Sequence, residues 1–161
     1  DTKRPNDLNH ASIFEDADII YFSGGSPGYL YRTMKDSLVW KSAQKAWARG
    51  AVYAGCSAGA MILGTEMPDV RAAGIRSTIA FGILPIASLL PHFNAMPLFG
   101  KPLIATLRRR LLAGEIMIGI DEDTAIVGKR NDDWTVMGKS KAHVFTKDES
   151  KSYAAGEKFM I

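Results

Sequence analysis

A short glycine-flanked motif about a third of the way along the chain could supply a nucleophile. Residues 55–59 read Gly-Cys-Ser-Ala-Gly and match the pattern G-x-S-x-G. An apolar segment, Ala51–Cys56, precedes the serine, and a small-residue segment, Ser57–Leu63, follows it. In a strand-to-helix turn of this kind, the middle residue adopts a strained backbone and projects its side chain out of the sheet. A serine hydroxyl held in this way can attack a carbonyl group in acyl transfer. The alternative is a buried serine that caps a tight junction.

A serine nucleophile needs a base, and the chain has three histidines. His10 lies in a polar N-terminal segment, and His143 lies in a strand-like segment where a structural or exposed role is expected. His92 follows Pro91 in a loop-like stretch after an apolar run. A loop there can bring a histidine to the edge of the sheet at which Ser57 is expected. We therefore predict that His92 is the general base.

Backbone amides near the serine are candidate donors to an oxyanion. The amide of Ala58 directly follows the nucleophile, at a helix start where N–H groups lack partners within the helix. Gly24 and Gly25 end the first apolar strand, and parallel strands place their carboxyl ends at one edge of a sheet. We predict Gly25 as the second donor, with a plain tight turn as the alternative. Asn94 is predicted as a further substrate-binding residue.

Cys56 precedes Ser57 and offers a different interpretation. A cysteine at such an elbow is typical of glutamine amidotransferases, which use it as the nucleophile. The exposed position of the elbow is its middle residue, so the side chain of Cys56 is expected to point the other way, into packing. A lone buried thiol behaves as a small apolar group. The sequence therefore favours Ser57 over Cys56 as the nucleophile.

The elements that position these residues follow a strand–helix–strand–helix order. Asp18–Ser23 reads as a buried strand, and Ser26 with Pro27 reads as a helix start. A second helix is predicted over Ser37–Ala48, closed by Gly50. The next strand leads into the glycine-flanked motif and its helix. This alternation of strands and helices implies parallel strands joined by crossover helices. We predict an α/β fold with three layers, in which helices cover both faces of a mostly parallel sheet.

The last third of the chain is predicted to be rich in strands. A helix over Pro102–Leu112, stopped by Gly114, precedes them. Residues 131–133, Asn-Asp-Asp, read as a hairpin turn. The predicted strands are Ile116–Ile120, Thr124–Lys129, Trp134–Met137 and Ala142–Phe145. We expect this strand-rich part to belong to the same single domain, residues 1–161.

Composition excludes several classes of protein. The chain has 161 residues, of which 47% are apolar and 23% charged, as in an ordinary globular domain. The net charge of +3 is too small to indicate nucleic-acid binding. On a helix, consecutive residues point about 100° apart, so Arg108–Arg110 form no single basic face. This arrangement favours a solvated helix end over an anion-binding site. A single cysteine excludes an internal disulfide and fits a cytoplasmic setting. No apolar run is long enough to span a bilayer.

Four short blocks follow one another along the chain. They are residues 22–26 (FSGGS), 55–60 (GCSAGA), 91–94 (PHFN) and 119–125 (GIDEDTA). In this order they resemble the dipeptidase E / cyanophycinase family of serine peptidases. That family is similar in fold to class I glutamine amidotransferases, with serine in place of the nucleophilic cysteine.

The resemblance implies a catalytic triad. Ser57 would be the nucleophile and His92 the base, and an acidic residue would orient the histidine. The dipeptidases of this family carry that acidic residue just before Met-Pro, and the residue that matches here is Glu66. The alternatives for this third position are Asp69, Asp121 and Glu122. The resemblance implies neither a metal nor an organic cofactor.

Two departures from the family are visible. The family has further strands before the segment that starts near Asp18, so we expect either a fragment of a longer protein or a natural short form. A sheet without those strands would expose apolar faces, and a homodimer is one expected assembly. The Asp-specific members carry an arginine-containing stretch after the histidine, where this chain has the more apolar Met96–Pro102. The basic residues that could bind an acidic substrate instead are Arg71, Arg76, Lys101 and Arg108.

The sequence therefore predicts an enzyme, a serine peptidase that hydrolyses short peptides through an acyl-enzyme, with Asp-containing dipeptides as one candidate substrate. An esterase or other acyl hydrolase that uses the same serine is the first alternative. A non-catalytic binding module that kept the elbow is the second. The expected partner is a small peptide substrate, and we expect no nucleic acid, membrane or metal to be bound.

Overall fold

The computed structural model describes residues 4–69, 76–96 and 100–161, without the side chains of Asp69 and Lys101. Its elements divide between two units, Asp1–Ala60 and Met61–Ile161. Helices and strands alternate in the first unit, whereas strands dominate the second. Every helix within the described ranges is too short or too polar to cross a lipid bilayer.

The first unit builds a strand–helix–strand arrangement, as predicted. A single-turn 3-10 helix at Arg4–Asn6 comes first, followed by α1 (Leu8–Ser12), β1 (Ile19–Phe22), α2 (Pro27–Met34), α3 (Leu38–Arg49), β2 (Val52–Gly55) and the start of α4 (Ala58–Met61). Strands β1 and β2 pair in parallel, with Phe22 opposite Gly55. The predicted crossover through helices between these two strands is therefore confirmed.

The helix ends of the first unit fall where the sequence places them. The Ser26 hydroxyl caps α2 by accepting a backbone amide three residues on, at 3.4 Å. Ser37 caps α3 in the same way, at 3.1 Å. Gly50 ends α3 with a φ of 114°, a backbone conformation that glycine adopts without steric penalty.

The two faces of the β1–β2 pair have different surroundings. Phe22 stacks on Tyr53 with 5.4 Å between ring centroids and meets Trp40 of α3 edge-on at 5.7 Å. Side chains alternate between faces along a strand. The residues exposed on the opposite face include Ile19, Tyr21 and Val52. The expectation of helices on both faces of the sheet is not met by this pair.

The described part of the second unit contains mainly strands, with the helix Gly100–Arg110 between two of them. In chain order it contains β3 (Glu66–Asp69), β4 (Arg76–Ile79), β5 (Ser88–Leu90), a 3-10 turn at Phe93–Ala95, α5 (Gly100–Arg110), β6 (Met117–Ile120), β7 (Thr124–Val127), β8 (Asp133–Gly138), β9 (Lys141–Phe145), β10 (Ser150–Ala154) and β11 (Lys158–Met160). Its described strands form sheets in the orders β10-β9-β6-β5, β11-β8-β7 and β3-β4. The predicted strand-rich C-terminal part is confirmed.

The prediction of a mostly parallel sheet needs correction. Among the described strands, only β1–β2 and β5–β6 pair in parallel, and the other five pairings are antiparallel. Short connections, such as the five residues between β7 and β8, can join only neighbours that run in opposite directions, because a parallel neighbour needs a long crossover. The fold is therefore mixed α/β.

Helix α5 covers part of the four-stranded sheet through leucines spaced four apart. The buried cluster consists of Ala87, Leu90, Leu103, Leu107, Leu111 and Met117. Leu103 and Leu107 lie on one face of α5, and Leu111 directly follows the helix. Burial of each leucine stabilises the fold by about 1.5–3 kcal/mol. Phe93 packs against this cluster. The segment that follows β5 is therefore held against the sheet.

Candidate active site

Ser57 lies at the junction of β2 and α4 in a left-handed backbone conformation, with a φ of 51°. This conformation costs a residue other than glycine about 1–2 kcal/mol, and it persists only where the surroundings enforce it. The half-buried side chain lies against the end of β1, because a Cβ atom on Gly24 would be 3.8 Å from Oγ of Ser57. The hydroxyl is therefore at the carboxyl edge of the parallel pair.

Both glycines of the motif are required by close backbone contacts. A Cβ atom on Gly59 would lie 2.1 Å from the carbonyl oxygen of Phe22, and one on Gly55 would lie 2.6 Å from that of Gly59. The Tyr53 hydroxyl donates to the same Gly59 carbonyl at 2.7 Å. Burial raises the pKa of Tyr53, which keeps its phenol a neutral donor. The start of α4 is thus fixed against both strands.

Gly25 and Ala58 are the predicted oxyanion donors. Gly25 has a φ of 138°, and apart from its chain neighbours no heavy atom of the described residues lies within 4 Å of the position that a Cβ atom there would take. This open space leaves room for a ligand beside its backbone. Ala58 is buried in the first turn of α4, directly after the serine. The role of both amides stays a prediction.

Cys56 is exposed, which corrects the expectation that its thiol is buried. The reason is that the face opposite Phe22 is open to solvent, as the exposure of Tyr21 also indicates. A hydrogen bond with the Cys56 side chain, and to a smaller extent the electrostatic interaction with that side chain, raises the pKa of the Tyr21 phenol. The backbone amide of Cys56 donates to Phe22 at 2.9 Å.

In the second unit, His92 meets a carboxylate. Its Nδ1 atom lies 3.2 Å from Oε1 of Glu122, and the two side chains are 54% and 55% exposed. His92 has a left-handed backbone, with a φ of 54°, directly before the 3-10 turn. Because an ionised carboxylate only accepts hydrogen bonds, the neutral imidazole carries its hydrogen on Nδ1. Its Nε2 atom then has the lone pair that a general base needs.

Asn94 binds the backbone of the same acidic residue. Its side-chain oxygen accepts from the amide of Glu122 at 2.9 Å. The loop after β5 and the loop after β6 are therefore joined by two contacts, this one and the His92–Glu122 pair. The amide nitrogen of Asn94 offers two donors for its predicted contact with substrate.

The other acidic candidates have different partners. Oε1 of Glu66 accepts from the hydroxyl of Ser88 at 3.4 Å. Asp121 is buried, and its Oδ1 lies 3.0 Å from Nε2 of His143. The predicted alternative Asp69 lies outside the described side chains. Among the acidic residues whose side chains are described, Glu122 is the one that the structure brings to His92.

The basic candidates for reading an acidic substrate are dispersed. Arg108 donates to the carbonyl oxygens of Thr146 at 3.1 Å and Lys147 at 3.4 Å, so it fastens α5 to the turn after β9. The expected solvated helix end therefore needs correction for Arg108 alone, since Arg109 and Arg110 are exposed. Arg76 is exposed on β4, while Arg71 and the side chain of Lys101 lie outside the described residues. Among the described residues, no group of three His, Cys, Asp or Glu side chains could hold a metal ion.

Comparison with known proteins identifies the family. The model of peptidase family S51 matches residues 3–135. This chain belongs to peptidase family S51. No curated protein sequence matches it. The predicted resemblance to the dipeptidase E family of serine peptidases is thereby confirmed.

Two solved structures are similar to this S51 chain. The crystal structure of a peptidase from an acI-B1 Actinobacterium is 35% identical with a TM-score of 0.82, and the match covers 99% of this chain and 66% of the other. A Listeria monocytogenes EGD-e protein with a provisional peptidase E assignment is 19% identical with a TM-score of 0.53, over 92% and 65% of the two chains. The second likeness concerns the fold alone. The S51 chain spans slightly less than two thirds of the length of each structure.

The division into units separates the two halves of the predicted triad. Ser57 belongs to the first unit of the S51 chain, and His92 with Glu122 belongs to the second. Their pairing stays a prediction. Sequence reasoning gave His143 only a general structural or exposed role and missed its contacts with Asp121 and Phe93. The signal that could have revealed them is the alternation His143-Val-Phe145, which puts two rings on one face of a strand.

Proposed function

We propose that this chain is a serine peptidase that hydrolyses short peptides through an acyl-enzyme on Ser57. The observation that carries the proposal is the left-handed backbone of Ser57, with a φ of 51°. A serine that merely caps a helix does not need this strain. Ser26 and Ser37, which cap α2 and α3, have φ values of −89° and −72°.

The proposed reaction begins with attack of Ser57 Oγ on the carbonyl carbon of the scissile peptide. His92 accepts the serine proton at Nε2 and then delivers it to the leaving amine. A water molecule next attacks the acyl-enzyme, with His92 again as the base, and releases the acid and the free serine. The backbone amides of Gly25 and Ala58 would hold the negative oxygen, and each such donor typically contributes about 10²–10³ in rate.

The third member of the proposed triad is Glu122. Its contact with Nδ1 at 3.2 Å fixes the tautomer that leaves Nε2 as a base, and it would stabilise the imidazolium that forms during the reaction. Glu66, the residue favoured by the family pattern, instead accepts from Ser88. The geometry therefore supports Glu122 over Glu66.

The proposed substrates are short peptides, and selectivity for an N-terminal Asp is a narrower form of the proposal. Arg108 is engaged by two carbonyl groups and is a poor candidate for binding an acidic side chain. Arg76 is exposed and remains the better candidate among the described cations. Turnover of Asp-Xaa and Ala-Xaa dipeptides, measured on the wild type and on Arg76→Gln, tests this point. Equal turnover of both peptides would exclude Asp selectivity.

A fluorophosphonate probe tests the nucleophile directly. We expect it to label Ser57 in the wild type, with the site found by peptide mass spectrometry. Ser57→Ala should abolish labelling and peptide hydrolysis. Ser57→Gly should do the same while unfolding at the same or a higher temperature than Ser57→Ala, because glycine tolerates the left-handed backbone.

The alternative functions give different results in that experiment. A folded wild type that the probe does not label would be a binding module, and the proposal would fail. Labelled protein that hydrolyses p-nitrophenyl esters but neither Asp-Xaa nor Ala-Xaa dipeptides would be an esterase.

A further inference from the structure

A hydrogen-bonded cluster around His143 contacts the sequence neighbours of the His92–Glu122 pair. Nε2 of His143 lies 3.0 Å from Oδ1 of Asp121, and Nδ1 lies 2.8 Å from the hydroxyl of Ser152. The second oxygen of Asp121 accepts from the Ser140 hydroxyl at 2.7 Å and from the amide of Lys141 at 3.2 Å. Both ring nitrogens and both carboxylate oxygens therefore have partners.

The face of the His143 ring carries Phe93. The two ring centroids are 4.7 Å apart, with 33° between the planes. His143 lies opposite Gly119 in the β6–β9 pairing, and a Cβ atom on Gly119 would be 2.4 Å from the Phe93 ring. Phe93 thus packs against the backbone of Gly119 and the rings of His143 and Phe145. The ring centroids of Phe93 and Phe145 are 5.5 Å apart.

Through Phe93 and Asp121, His143 contacts a chain neighbour of each member of the His92–Glu122 pair. Phe93 directly follows His92, and Asp121 directly precedes Glu122. The pair itself is about half exposed, and exposed ion pairs hold geometry weakly. His92 also has a left-handed backbone, which neighbouring packing must enforce. The His143 side chain contacts both Phe93 and Asp121.

From this geometry we propose that His143 is a positioning residue that keeps the side chains of His92 and Glu122 in contact. This role rests on the proposed serine peptidase function. The choice of side chain fits the role, because histidine combines a flat ring for Phe93 with a donor for the Asp121 carboxylate. Phenylalanine would keep the ring and lose the donor, and glutamine would do the reverse. Neither His143 nor Asp121 contacts the reacting atoms in this scheme.

The test measures the rate of fluorophosphonate labelling of Ser57 in folded protein. We expect His143→Ala to lower this rate by up to about 10²-fold, the cost typical of a small misplacement of catalytic groups. His143→Phe and His143→Gln should each recover part of the rate. The matched control is Val136→Ala, which opens a cavity at a buried position of β8, in the sheet β11-β8-β7 rather than the sheet of His143. It should lower the melting temperature without changing the labelling rate.

A double-variant cycle separates positioning from a general structural role. In a Glu122→Gln background, His143→Ala should slow labelling much less than in the wild type, because both changes act through one pair. Fully additive losses would overturn the proposal. So would a rate that follows the melting temperature in all variants, Val136→Ala included.

An observation independent of activity distinguishes this proposal from the proposed function. The ring nitrogen signals of His92, assigned with His92→Gln, should move in His143→Ala and stay in place in Val136→Ala. Unchanged signals in His143→Ala would overturn the positioning role even if Ser57 is the nucleophile. Labelling of Ser152 instead of Ser57 would overturn both proposals, since His143 would then be a base.

Discussion

Oε1 of Glu122 lies 3.2 Å from Nδ1 of His92, although thirty residues separate them in the chain. Two loops that follow neighbouring parallel strands, β5 and β6, create this contact. A second hydrogen bond, from the Glu122 amide to Asn94, ties the same loops together. The carboxylate is therefore placed by the backbone of its loop as well as by its own side chain.

This relationship predicts that Glu122→Gln impairs catalysis. The amide keeps the shape of the side chain but loses the charge that stabilises the imidazolium. Glu122 orients the base His92, and a positioned base contributes about 10²–10⁴ in rate. We therefore expect kcat/KM for a hydrolysed dipeptide to fall by about 10²-fold. Steady-state kinetics on the folded variant measures the change.

Glu66→Gln is the matched control for that variant. The new amide side chain would still offer an oxygen to the hydroxyl of Ser88, so both stability and kcat/KM should stay close to those of the wild type. A large loss in Glu66→Gln with little loss in Glu122→Gln would contradict the assignment and restore the family pattern.

The comparison of these two acids indicates how far the sequence specifies the site. The local motif around Ser57 predicts its own geometry, because the strand, the glycines and the helix start are contiguous. The partner of His92 depends on which loops follow adjacent strands, and no local pattern contains that information. The carboxylate that contacts His92 therefore follows from the pairing of β5 with β6 rather than from the position before Met-Pro.

The two glycines Gly59 and Gly28 should respond oppositely to alanine. A Cβ atom on Gly59 would lie 2.1 Å from a backbone oxygen, so Gly59→Ala should destabilise the fold by at least about 3 kcal/mol. Gly28 lies in α2, and its nearest neighbour is the flexible end of Arg32 at 3.2 Å. Gly28→Ala should stabilise the fold by up to about 1 kcal/mol.

Urea unfolding measures both changes in the free energy of unfolding. Equal small effects at the two positions would mean that α4 does not approach β1 as closely as described. The Gly28 variant also controls for the general effect of alanine on the unfolded chain.

The exposure of Cys56 predicts that its thiol reacts in the folded protein. The chain has one cysteine, so Ellman's reagent should report one thiol per chain without denaturant. Cys56→Ser should keep fluorophosphonate labelling of Ser57. A thiol that reacts only after unfolding would restore the buried position expected from the sequence, and loss of labelling in Cys56→Ser would point to a cysteine nucleophile.

Much of the secondary structure follows from the sequence, and the missed parts have physical reasons. Ser37 and Gly50 mark the ends of α3 because capping is a local interaction. Strand β10 escaped prediction because its first three residues are polar and exposed, and β11 because three residues are too few to show an alternation. The hairpin turn predicted at residues 131–133 joins the antiparallel strands β7 and β8. The other antiparallel pairings were missed because strand direction depends on loop length and on which strand lies alongside, rather than on the composition of each strand.

The buried carboxyl of Asp121 should make the stability of the fold depend on pH. Burial alone would raise the pKa of Asp121, but hydrogen bonds from Ser140 and His143, the charge of His143 and the amide of Lys141 outweigh it and lower the pKa below its ordinary value of 3.8. A lowered pKa means that the ionised form stabilises the fold above about pH 4, and that this contribution is lost as the pH falls through the folded-state pKa.

Asp121→Asn should therefore destabilise the protein most near neutral pH. An amide offers one acceptor oxygen in place of two, so one donor loses its partner, at a cost of about 1.5–3 kcal/mol for a bond to a charged group. Melting temperatures from pH 7 to pH 3 should show the gap between wild type and variant narrowing below about pH 4. The exposed Asp148→Asn is the control, and its gap should stay small throughout. A gap for Asp121→Asn that is constant with pH would mean that folding does not lower the pKa of this carboxylate.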